Sequence, residues 1–101
     1  MNLIGSTFKV EIPEGVVISN LGFATALCEQ AKTYGESEEI YLKLDEGVTV
    51  DVKSILGLIS LQYAKTKELN FQVIGENQTY TAQSLKRFVE KLVKLYDHDH
   101  E

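Results

Sequence analysis

The feature that most constrains the fold is a change of hydrophobic period inside Val50 to Leu61, VDVKSILGLISL. Val50 and Val52 alternate with Asp51 and Lys53, as a strand with one buried face requires. Ile55, Leu56, Leu58, Ile59 and Leu61 then crowd together as no single strand face can bury. A strand must hand over to a short helix at Ser54, where a serine suits the N-cap because its hydroxyl accepts from an orphan N–H. A phosphate on that hydroxyl would meet the positive end of the helix dipole. Ser54 therefore has two readings, a structural cap and a regulatory phosphorylation site.

The rest of the chain follows by period. Thr7 to Ile12 alternates Phe8, Val10 and Ile12 against Lys9 and Glu11, which predicts a first strand with one wet face, ended by Pro13-Glu14-Gly15. Val16, Val17 and Ile18 make an apolar run where a loop belongs, and Ser19 and Asn20 are N-cap candidates. A helix is predicted over Leu21 to Tyr34, with Leu21, Ala24, Cys28 and Ala31 on one stripe, Phe23, Leu27 and Tyr34 on its neighbour, and Gly35 as its stop. Glu36 to Glu39 reads as a solvated acidic connection. Ile40, Leu42 and Leu44 alternate with Tyr41, Lys43 and Asp45, Glu46-Gly47 turns the chain, and Val48, Val50 and Val52 answer from the second arm of a hairpin. A short helix spans Ser54 to about Leu61, with Gly57 costing helix stability but permitting close approach. After a polar connection from Lys65 to Glu68, Leu69, Phe71 and Val73 mark a fourth strand and Gly75-Glu76-Asn77 a turn. From about Thr81 a last helix carries Leu85, Phe88, Val89, Leu92 and Tyr96 on its apolar face, and Lys86, Arg87, Glu90, Lys91 and Lys94 on its polar face. The order β-α-β-β-α-β-α, with one-faced strands that helices must cover, predicts an α/β two-layer sandwich in one domain, residues 1–101.

Composition excludes several classes of function. The net charge of −5 and the scatter of cations, apart from the modest cluster Lys86, Arg87, Lys91 and Lys94, leave no basic stripe for nucleic acid. No apolar run is long enough to span a membrane, and MNLIGSTFKV lacks the basic and apolar segments of an export signal, so a cytoplasmic protein is expected. The lone Cys28 forms no internal disulfide and reads as a small core hydrophobe. Glu38-Glu39 and Asp45-Glu46 sit in turns without the apolar setting that would raise a carboxyl pKa for acid–base work. The tail Asp97-His98-Asp99-His100-Glu101 has metal-capable side chains on what reads as an unstructured terminus, which does not make a closed site. No cofactor, metal or enzymatic activity is expected.

Strand-Lys53-Ser54-Ile55, followed by Gly57, Ser60 and Leu61 in a hydrophobic setting, resembles the regulatory-serine segment of HPr, the histidine phosphocarrier family of the bacterial sugar phosphotransferase system. The order of elements agrees from about Thr7 to Val93. The resemblance implies an open-faced, four-stranded antiparallel sheet covered on one face by three helices. It also implies phosphorylation of Ser54 by an ATP-dependent HPr kinase, and docking of partner proteins, including a regulator of catabolite repression, onto the apolar face of the second helix. Ile55, Leu56, Ile59 and Leu61 are the candidates for that surface, the alternative being that they are core.

In that family phosphate is carried on a histidine opening the first helix, in a Gly-hydrophobic-His-Ala-Arg-Pro-Ala segment, where an imidazole is nucleophilic near neutral pH. The matching stretch here is EGVVISNLGFATAL. Counted from the strand, the histidine position falls on Val17; counted back from Ala24-Thr25, it falls on Asn20, with the arginine position on Gly22. The phosphocarrier loop is degenerate. Homologues that lack the histidine but keep the serine are a known variation in the family. The expected function is a regulatory or adaptor domain recognised through the second helix and switched at Ser54. The alternative is a diverged domain without phosphorylation, whose Val16 to Ile18 docks another partner or forms a homodimer. A small-molecule enzyme has no catalytic constellation behind it.

Overall fold

The computed structural model describes residues 5–13, 16, 20–44, 47–63 and 67–98. Strands β1 (Ser6–Glu11), β2 (Glu39–Lys43), β3 (Thr49–Asp51) and β4 (Glu68–Ile74) form one antiparallel sheet in the order β1-β4-β2-β3. Helices α1 (Leu21–Lys32), α2 (Ile55–Ile59) and α3 (Gln78–His98) complete the order β-α-β-β-α-β-α. The predicted sandwich is present, with the open, antiparallel sheet that the resemblance implied.

Register places one inward row across the sheet: Phe8 opposite Phe71, Phe71 opposite Leu42, and Leu42 opposite Val50. The rings of Phe8 and Phe71 stack with centroids 4.8 Å apart, a contact worth about 0.5–1.5 kcal/mol beyond its buried area. The three helices close this face with Phe23, Ala24, Leu27, Cys28 and Ala31 of α1, Leu58 of α2, and Leu85, Val89, Leu92 and Val93 of α3. The alternate strand residues, among them Lys9, Glu11, Tyr41 and Lys43, line the uncovered face.

Several boundaries differ from the sequence expectation. Helix α1 stops at Lys32, because Thr33, Tyr34 and Gly35 donate back to Gln30, Ala31 and Lys32 in turn geometry and Gly35 turns to a φ of +93°. Helix α2 has only five residues before the chain tightens into a 3₁₀ turn, Ser60–Tyr63. Helix α3 begins at Gln78 rather than Thr81, since Asn77 O already accepts from Thr81 N at 2.9 Å. It also runs through Asp97 and His98, so that part of the tail is helical; Asp99, His100 and Glu101 lie outside the described residues. Leu21, expected on the core stripe, is exposed because the first turn of α1 projects beyond the sheet-facing residues that begin at Phe23. Val48 is exposed as well, lying before the short edge strand β3 rather than in it.

Candidate functional site

The joint at Ser54 is built by local hydrogen bonds. Asp51 Oδ1 accepts from Lys53 N and Asp51 O from Ser54 N, both at 2.9 Å, which turns the chain out of β3. Ser54 is extended, with φ −106° and ψ 110°, and its Oγ accepts from Gly57 N at 3.1 Å. Its carbonyl accepts the first helical bond from Leu58 N. This is the cap the period change predicted. Remote contacts hold the residue before it: Lys53 Nζ donates to Gly35 O at 2.7 Å and to Glu38 O at 2.5 Å, and Cys28 Sγ donates to Lys53 O. Ser54 therefore stands half-buried on a backbone pinned by α1 and by the loop that follows it.

The four apolar residues expected to dock partners separate. Leu56 is 76% exposed. Ile55 and Ile59 are half-buried and pack against the core. Leu61 is 5% exposed and belongs to the core. Leu61 is thus corrected from a docking residue to a packing one: the 3₁₀ turn after α2 rotates it under the helices.

At the start of α1, Asn20 Oδ1 accepts from Phe23 N at 3.2 Å and Asn20 O accepts from Ala24 N at 2.8 Å. Beyond the cap, Leu21 is 65% exposed. A side chain at Gly22 would displace the Tyr96 hydroxyl near the end of α3, which sits against the place a Cβ would occupy. The Tyr96 ring meets Phe23 edge-on, with centroids 5.5 Å apart. Val17, the other position matched to the family's histidine, lies outside the described residues, as does Ile18; Val16 is half-buried against the core. The chain's two histidines are His98 and His100.

Sequence reasoning missed Glu38. Read as part of a solvated connection, it is fully buried. Its Oε2 accepts from Asn77 N and Ser37 Oγ, both at 2.9 Å, and so ties the α1–β2 loop to the residue that precedes α3. Gly75 lets this happen, since a Cβ there would strike Ser37 O and the Glu38 carboxylate. Burial pushes the Glu38 carboxyl up, but the Asn77 N–H, the Ser37 and Thr81 hydroxyls and the Lys53 charge outweigh it and hold the group below its ordinary 4.5. Its Oε1 makes no hydrogen bond among the described residues. The signal was parity: Glu38 shares the inward face with Ile40 and Leu42.

A protein-family model described as "PTS HPr component phosphorylation site" matches residues 6–91. Among solved structures the chain is similar to HPr-C-His of Thermoanaerobacter tengcongensis, with 19% identity, a TM-score of 0.71, and coverage of 88% of this chain and 96% of that one. It is similar to the phosphocarrier protein HPr of Bacillus anthracis str. Ames, with 20% identity, a TM-score of 0.66 and coverage of 83% and 95%. The catabolite repression protein Crh of Bacillus subtilis, described as a domain-swapped dimer, has 21% identity, a TM-score of 0.58 and coverage of 82% and 93%. At these identities the structural likenesses speak for the fold. No curated protein matches the chain.

Proposed function

The chain belongs to the HPr family of the phosphotransferase system, and from that premise we propose that it is a regulatory or adaptor protein, switched by phosphorylation at Ser54 and not by relay through a histidine. Members of the family are phosphocarriers that act on protein partners, not enzymes. The observation that carries the reading is the start of α1, where Asn20 serves as the cap and Tyr96 occupies the surface of Gly22. Neither an asparagine amide nor a valine can form a phosphoramidate. Ser54, by contrast, keeps a hydroxyl at the first turn of α2, beside the exposed Leu56 and the half-buried Ile55 and Ile59. A phosphate there adds a charge of about −1.5 to −2 next to an apolar docking patch without refolding the domain. The partners the family implies are an HPr kinase and a regulator that binds through α2.

Intact mass tests this, after incubation with HPr kinase and ATP, beside Ser54→Ala and a parallel reaction with phosphoenolpyruvate and the system's first phosphotransferase. The expected result is one phosphate from ATP, absent in Ser54→Ala, and none from phosphoenolpyruvate. An acid-labile phosphate from phosphoenolpyruvate overturns the reading. A second reading draws on the swapped Crh dimer: an HPr-fold domain without phosphorylation that acts as a homodimer. It requires a dimer in sedimentation equilibrium and no phosphate from either donor.

A further inference from the structure

Strand β1 is an edge strand: β4 takes one side of it, and among the described residues no backbone group bonds to the other. The phase of the ladder says which groups are left over. Ile12 N donates to Lys67 O at 2.9 Å, so Ile12 and, in steps of two, Val10, Phe8 and Ser6 direct their N–H and C=O groups toward β4. Thr7, Lys9 and Glu11 direct theirs outward. Beside the same strand lies an open groove of about 680 Å³, with residues 9–13 on one wall and Lys86, Glu90, Val93 and Lys94 of α3 on the other.

We infer that this edge and groove take an extended acidic segment of a protein partner, which adds to β1 as a further strand with α3 as the far wall. The backbone groups of Thr7, Lys9 and Glu11 supply the ladder. Charge selects the occupant. Lys9, Lys86 and Lys94 line the groove against Glu11 and Glu90, a local excess of positive charge in a chain whose net charge is −5. Lys9 meets Glu68, and Lys86 meets Glu90, only loosely, at 3.8 Å in exposed positions, and Lys94 has no ion-pair partner among the described residues. A second copy is disfavoured by the same charges. Antiparallel pairing of two β1 strands about their central outward residue sets Lys9 opposite Lys9.

The test titrates the ¹⁵N-labelled chain with a capped six-residue peptide alternating Glu and Val, and with a control peptide carrying Lys in place of Glu. At saturation the acidic peptide slows amide exchange of Thr7, Lys9 and Glu11 about tenfold, while the ladder amides of Phe8 and Val10 change little. Lys94→Glu weakens binding about fivefold. Lys9→Pro abolishes it, because proline removes an outward N–H and leaves every bond to β4 in place. If Lys9→Pro fails to fold, Lys94→Glu decides. The inference is overturned if the acidic peptide protects none of these amides, if the lysine peptide binds as well, or if protection rises with protein concentration alone, which would make a second copy the occupant.

Discussion

A single buried carboxylate, that of Glu38, joins the α1–β2 loop to Asn77 at the entry to α3. Its folded pKa lies below the ordinary 4.5. A depressed carboxyl contributes stability that is fully present above its unfolded pKa and is lost as pH falls through the folded one. The urea midpoint should therefore be flat from neutral pH down to the mid-fives and should fall as pH drops below about 4.5. Glu38→Gln should cost about 1–3 kcal/mol at pH 7, by weakening charge-assisted bonds in a buried place, and should shallow the acid limb. An acid limb as steep as in the parent chain would show that other carboxylates control it. Nothing in the local sequence around Glu38 distinguishes a buried acid from a solvated one except its parity with Ile40, because its hydrogen-bonding partner Asn77 is remote in the chain.

At the scale of elements, α2 was legible because its determinants are local. Ser54, the clustered apolar residues and Gly57 all lie within one turn or two of each other, so the period change alone located the cap. Gly57 offers a test. A Cβ there would lie 3.4 Å from Ser54 Oγ and 3.6 Å from Asp51 O, at van der Waals distance. Gly57→Ala should accordingly stabilise the unphosphorylated chain by about 0.5–1 kcal/mol through helix propensity, read as a higher urea midpoint. A loss of stability would mean that the glycine is needed for the close approach itself. The lengths of α1 and α3 were less legible, because their ends are decided by competition between turn bonds at Thr33 to Gly35 and by the Asn77 cap.

On the scale of the whole molecule, α3 does more than cover the sheet. Its last turns reach the start of α1, where Tyr96 packs edge-on against Phe23 and rests on Gly22. Tyr96→Ala should lower stability by about 2–3 kcal/mol and sharpen exchange at the first amides of α1, whereas truncating the exposed Leu95 should leave both nearly unchanged. Equal effects at the two positions would count against a lock between these helices. The alternation of Phe8 and Val10, of Ile40 and Leu42, and of Leu69, Phe71 and Val73 determined by itself that these segments are one-faced strands, since pleating is a local property of period two. The same local logic determined the three helices and the cap at Ser54. Only the tertiary structure decided that β4 inserts between β1 and β2, that Leu61 turns inward while Leu56 and Leu21 remain in solvent, and that Tyr96 stands over Gly22. Each of those is a choice among partners distant in sequence, made by which surfaces bury together, and no local period encodes it.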